Sequence, residues 1–358
     1  MAFYNIQYCY SMYLVYIDYN IIVIIRGLCY FFIMIKEVVD FINQDIENKY
    51  KKFEEDRPRI KGSEKFSLDK FEKIKSRTNL CKATFVDGGN TEIIRSGNFS
   101  LHFIRICALT FEGRKKVDKV LNEFFCLAYA EKKDEIFYKT KFFQMKGEQL
   151  IEEFEISSFD PSIVSGKFRA SISIVPEIVR RFCEIKICST MIDKMSSNDI
   201  FVKDGNLECH YPLEKELFDD LKQNCDAKGI KLSGLAKTSQ LFTEEGNNLL
   251  ALLSSKGPEG CWYYPISKDI RVAKLHPRSG FVFRVDGNDV MPELMANSND
   301  PAFLGYPYGL ILVDRFARVS NEEKNHLRTV FMSKFGKKWE IIDKYEHALN
   351  AHNVLDSM

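Results

Sequence analysis

Between Ala83 and Leu235 the strand-like and helix-like periodicities of this chain follow one another in an order that few folds accommodate. A β-branched and aromatic run, Ala83 to Val86, opens the series. Phe99 to Phe111 then alternates and runs apolar, and Glu123 to Ala130 with Ile136 to Phe143 supplies further strand material. We read three antiparallel strands in succession. Pro176 suits the first turn of a helix running to about Thr190, with Ile178, Val179, Phe182, Cys183 and Ile187 facing inward. A short strand, Asp199 to Lys203, ends in Asp204-Gly205; a helix from Leu213 to Ala227 is closed by Gly229; and Ile230 to Leu235 is one more strand. This βββ-α-β-α order predicts a mixed sheet with helices packed on it.

The flanks are less regular. Val38, Val39, Ile42, Ile46, Tyr50 and Phe53 fall at helical spacing between Lys36 and Phe53, and a polar segment from Glu54 to Asn79 follows, with a short helix expected near Leu68 to Ile74. Beyond Lys237, Tyr263-Tyr264-Pro265 and Phe281 to Val285 read as short strands, while Leu310 to Val319, Glu322 to Phe335 and Trp339 to Ala351 read as helices. Residues 1–35 are rich in Tyr and Ile, and only Asp18 and Arg26 are charged. Those charges leave no clean span of about 20 apolar residues, and the basic start and small-residue cleavage site of a signal peptide are missing. The expectation is that translation starts at Met34 and that the residues preceding it are translated upstream sequence, a membrane anchor being the alternative. The domain expectation is thus an extension over 1–35, a helical segment over 36–80, and one catalytic-type domain over 81–358.

Composition bounds the function classes. Lys and Arg number 51 against 50 Asp and Glu, for a net charge of +1, so any nucleic-acid site must be a local patch. Ten cysteines are scattered without C-x-x-C spacing, which argues against a disulfide framework or a structural zinc and for a reducing, cytoplasmic setting.

Three acidic residues sit where a divalent cation needs them, on separate elements that a sheet can bring together. Asp87 is expected at the end of the first strand, where Gly88 and Gly89 let the backbone turn away; Glu184 lies in the following helix; Asp204 ends the next strand. Each has an ordinary alternative. Asp87-Gly88 and Asp204-Gly205 also suit turns, and Glu184 lies four residues after Arg180, the spacing of a surface ion pair. Arg180 and Arg181 have the chemistry to hold a phosphate backbone, or to lie solvated on the helix.

The element order is that of the ribonuclease H-like fold, and several stretches resemble the NurA nuclease family in its divergent archaeal-type form, over about residue 36 to the end. They are Phe85-Val86-Asp87-Gly88-Gly89, Val179-Arg180-Arg181-Phe182-Cys183-Glu184, Ile200 to Leu207, Gly234 to Ser239, and Gly305-Tyr306-Pro307 leading to Val313-Asp314-Arg315-Phe316-Ala317-Arg318. The resemblance implies a manganese-dependent nuclease, Mg²⁺ being an alternative ion, that trims DNA 5′ to 3′ and cuts single strands. It also implies a homodimer working with a hexameric HerA-type translocase in double-strand break repair. Carried over by position, it makes Asp87, Glu184 and Asp204 metal ligands, sets Lys237 against the scissile phosphate, and places Tyr306 near the nucleic acid. Many family members carry a metal-binding histidine eight residues after the aromatic position, matched here by Tyr306; here that residue is Asp314. An aspartate can serve a hard cation, or can simply pair with Arg318 on its helix. His276 and His326 are expected at the surface. Two rival readings remain open: a degenerate subunit that keeps only the translocase contact, and an actin- or sugar-kinase-type protein in which Asp87-Gly88-Gly89-Asn90-Thr91 is a phosphate loop.

Overall fold

Alternation of β-branched and aromatic residues with small or polar ones makes Ala83–Arg95 (β2), Phe99–Glu112 (β3), Lys115–Lys132 (β4) and Ile136–Lys146 (β5) long strands of an antiparallel meander. A computed structural model of the chain describes residues 35–48, 52–60, 63–77, 81–164 and 166–346. The expectations for residues 1–34, and for the helix beyond 346, therefore lie outside the described residues. Among the described residues no helix is long and apolar enough to cross a membrane. The described residues fall into two compact units, those up to 67 with 242–252, and those of 68–241 with those from 253 onward.

In the smaller unit a helix over 35–48 (α1) has Val38, Val39, Phe41, Ile42 and Ile46 exposed. Phe53 stacks on Phe66 with ring centroids 5.0 Å apart, and buried Asp56 accepts from the Asn247 side chain at 3.2 Å.

The larger unit carries one sheet of eleven strands. Its other elements are β1 (Glu72–Lys73), β6 (Glu155–Ser157), α2 (Ile174–Met191), β7 (Ile200–Asp204), α3 (Pro212–Lys228), β8 (Lys231–Ala236), β9 (Trp262–Pro265), β10 (Ile270–Lys274), β11 (Phe283–Gly287), α5 (Met291–Asn297), α6 (Tyr308–Ala317) and α7 (Asn321–Phe335); α4 is Leu249–Lys256. Strand order is β1-β9-β10-β11-β8-β7-β2-β3-β4-β5-β6, with β7 parallel to β2 and β8 parallel to β7. The central β4-β3-β2-β7-β8 portion is the mixed sheet of a ribonuclease H-like fold. On one face, Val86, Ile104, Ile106 and Phe201 pack with Val179, Cys183 and Ile187 of α2 and with Leu221 and Cys225 of α3. On the other, Phe85, Leu109, Val202 and Val285 pack with Leu294 of α5 and with Leu310, Val313 and Ala317 of α6. Successive strand residues therefore face different helices, and this alternation decides which side chains can meet.

Several local expectations change. Asp87-Gly88-Gly89-Asn90 is not a turn: β2 runs straight through it, pairing with Cys107, Ile106, Arg105 and Ile104 of β3, and turns only at Ser96 to Asn98. The phosphate loop of the kinase-type reading is thus an extended strand. The meander has four long strands, because Glu123 to Ala130 and Ile136 to Phe143 belong to two separate strands, and β4 starts earlier than expected, in the charged Lys115-Lys116 stretch that periodicity does not mark. Leu68 to Ile74 holds a single 3₁₀ turn, Leu68–Lys70, followed by β1, which pairs with β9. Ile270–Lys274 is a strand that its Arg and Lys concealed. His276 is buried at 9% exposure, its ring Nδ1 accepting from the Arg278 amide at 3.2 Å.

Candidate metal centre

The parallel β2–β7 ladder ends at the Val86–Lys203 pair, so Asp87 and Asp204 occupy the next step, where the strands part. Both lie on the α6 side of the sheet, being two residues beyond Phe85 and Val202. Asp314 descends onto them from α6. That helix lies flush on β2 because Gly309 has no side chain: a Cβ there would fall inside the Phe85 ring. Oxygen atoms of Asp87, Asp204 and Asp314 all lie within 4.8 Å of one another.

Two further residues complete the cluster. Lys237, just past β8, places Nζ 2.7 Å from Asp204 Oδ2, 3.6 Å from Asp314 Oδ1, and 5.2 Å from the centre of the Tyr306 ring. Buried Tyr306 donates its hydroxyl to Asp204 Oδ1 at 3.2 Å. Burial first, then the charges of Asp204 and the neighbouring aspartates, hold the Tyr306 phenol far above its ordinary pKa, so it stays a proton donor. The Asp87 carboxyl is pushed up to about 8, chiefly by burial, with Asp204 and Glu184 adding to it against the Gly88 amide and Lys237. The Gly88 amide donates to Asp87 Oδ1 at 2.7 Å. Asp314 also accepts from Arg318 Nη2 at 2.6 Å, so the helix pair forms while the carboxylate still reaches the cluster.

Glu184 stands on the opposite, α2 side. It is 1% exposed, pairs with Arg180, and accepts from Lys203 Nζ at 2.8 Å. Its ion pair with Arg180 is thus buried rather than superficial. Burial raises its pKa, but Arg180 and Lys203 outweigh that and leave it lowered. Gly88 is what lets it approach the strand, since a Cβ there would lie 2.8 Å from Glu184 Oε1. Arg180 also donates to the Gly88 carbonyl at 3.2 Å, locking helix to strand. Arg181 turns elsewhere, to Glu214 at 2.8 Å and the Glu208 carbonyl at 3.0 Å, where it braces the start of α3.

Lys203 escaped the sequence reading. It is 8% exposed and bonds Glu184 and the Asp204 carbonyl, the latter at 3.0 Å. The signal was available: a lysine inside Ile-Phe-Val-Lys-Asp, a buried strand, must find an acidic partner.

Three carboxylates converging without nitrogen or sulfur donors are the ligand chemistry of hard cations such as Mg²⁺ and Mn²⁺, and the cluster fits such an ion on that ground. Glu184, with both oxygens engaged by cationic side chains, lies outside that group.

No protein-family model matches the chain, and no curated protein matches it. Among solved structures, the NurA nuclease from Sulfolobus solfataricus is similar at a TM-score of 0.51 and 12% identity, over 85% of this chain and 97% of that one. The catalytic domain of human endonuclease V aligns at a TM-score of 0.34 and 13% identity over 82% and 98%. Aquifex aeolicus Argonaute aligns at 0.30 and 14% over 68% and 29%. The likeness to the NurA structure, extending over nearly the whole of that chain, shows a shared ribonuclease H-like fold.

Proposed function

We propose that the protein is a divalent-metal-dependent nuclease acting on DNA. The observation that carries this reading is the convergence of Asp87, Asp204 and Asp314 from β2, β7 and α6 at one sheet edge. Asp87, Asp204 and Asp314 would hold the metal, with Glu184 as a reserve ligand if Lys203 and Arg180 release it. When bound, the ion supplies Lewis acidity and a water of lowered pKa for attack on a phosphodiester. The chain's own residues do the remainder. Tyr306 fixes the orientation of the Asp204 carboxylate through its hydroxyl. Lys237, balanced between Asp204 and Asp314, carries a positive charge to the position where a phosphate oxygen gains negative charge. The NurA resemblance supports manganese as the ion, 5′ to 3′ trimming with single-strand cutting, a homodimer, and work with a HerA-type translocase at double-strand breaks.

The test is cleavage of labelled single-stranded DNA by wild type and Asp87→Ala with Mn²⁺. Wild type should cut, and the variant should lose at least about a hundredfold. Undiminished cleavage by Asp87→Ala overturns the proposal. A second reading, a non-catalytic subunit of the same fold, is favoured by one observation: Lys237 already supplies a cation to two of the carboxylates. An inert wild type that still binds the translocase would establish it.

A further inference from the structure

We propose that Lys116, Lys119 and Arg315 form a track that carries the sugar-phosphate backbone of a nucleic-acid strand to the carboxylates; this rests on the nuclease reading and extends it to a surface outside the metal centre. All three side chains are exposed, and none of them takes part in an ion pair among the described residues. Other cations nearby are compensated: Lys82 pairs with Glu112 at 3.0 Å, Lys194 with Asp118 at 3.2 Å, and Arg318 with Asp314 at 2.6 Å. On a chain whose charges otherwise balance, uncompensated cations gathered on one face make a local positive field.

The fold gathers them beside the centre. Lys119 lies opposite Leu109, which lies opposite Phe85, so it shares the α6 side of the sheet with Asp87. Two strand spacings across and two residues along set their backbones on the order of 12 Å apart. Lys116, opposite Phe111, continues the line on the same side. Phe316 of α6 supplies the floor: Lys119 Nζ stands 3.5 Å and Lys116 Nζ 5.7 Å from its ring centre. The ring holds the ammonium groups by its quadrupole without neutralising them, so they remain available to phosphate. Arg315, exposed on α6 between Asp314 and Phe316 in sequence, adds a third positive charge to this end of the helix.

The probe is a fluorescent twenty-nucleotide oligo-dT, with oligo-U as a parallel arm, titrated in EDTA so that cleavage and metal play no part. Lys116→Glu/Lys119→Glu should weaken binding at least about tenfold at low salt and flatten the dependence of log affinity on log salt by about 1.4, the value for two lost phosphate contacts on a single strand. Lys215→Glu/Lys222→Glu on α3 should leave both within about twofold. The milder Lys116→Gln/Lys119→Gln pair, with folding checked by circular dichroism, gives the same direction without charge reversal. Loss in either arm supports a backbone track. Unchanged affinity and salt slope for both variants overturn it, whatever the cleavage assay shows; loss of binding together with undiminished cleavage by Asp87→Ala would instead retain the track and remove the catalytic reading.

Discussion

Asp87 is a carboxyl whose surroundings oppose its charge. Burial and the neighbouring acids push it up to about 8 from an ordinary 3.8. The folded protein therefore keeps a proton there that the unfolded chain releases near 4. Its contribution to stability is complete below that pH, declines as pH rises, and is gone above about 8. Asp87→Asn should accordingly stabilise the metal-free protein at pH 8, by on the order of 1–2 kcal/mol, and have little effect at pH 4, as calorimetry would show. Binding of Mn²⁺ should release about one proton below pH 8, visible in titration calorimetry run in buffers of different ionisation enthalpy. The glycines are equally constrained. Gly88 lies where a Cβ would meet Glu184, Ile106 and Arg180 within 2.9 Å, and Gly309 is where one would enter the Phe85 ring. Gly309→Ala should cost about 2–3 kcal/mol in chemical denaturation and reduce Mn²⁺ affinity, because α6 must lift and Asp314 rises with it.

At the scale of elements, the centre depends on the height and slide of α6 over β2. Gly89 lets the end of α6 come down, since a Cβ there would collide with the Ala317 carbonyl. Arg105, on β3 opposite Gly89, fastens the α6–α7 junction: it donates to the Arg318 carbonyl at 3.1 Å, and to Glu323 of α7 and Glu123 of β4, both at 2.5 Å. Arg105→Gln should destabilise the fold by about 2 kcal/mol by leaving two half-buried carboxylates short of a partner. Because it touches no carboxylate of the trio, its effect on the metal centre should appear as weaker Mn²⁺ binding with an unchanged number of ions bound. Retention of wild-type affinity in the destabilised variant would show that Asp314 is held by α6 alone. The element order was legible because helix and strand periods are local: α2, β7, α3 and β8 lie within two residues of their expected limits. β10 and the start of β4 were not, since their charged residues face water on one side and only pairing makes them strands.

For the molecule as a whole, the mixed sheet is shared with the NurA structure at 12% identity, so the arrangement persists while the side chains that fill it differ. The track proposed on Lys116 and Lys119 belongs to this scale, for it needs a β3–β4 hairpin and a helix two hundred positions later to meet. The amino-acid sequence by itself determined the kinds of element, their order, and which acids stood at special places, because each depends on neighbours within a few residues. It read Asp87-Gly88-Gly89 as a turn, since glycine permits a turn and nothing local shows otherwise. Only the tertiary structure decided that the glycines serve close approach within a straight strand, Gly88 to Glu184 and Gly89 to α6. Only it decided that alternation along β2 and β7 sends Asp87 and Asp204 to the side of Asp314, while Glu184 is held by Arg180 and Lys203 on the other. The physical reason is that a side chain's direction follows from local pleat, but its company follows from what the remainder of the chain packs against that face.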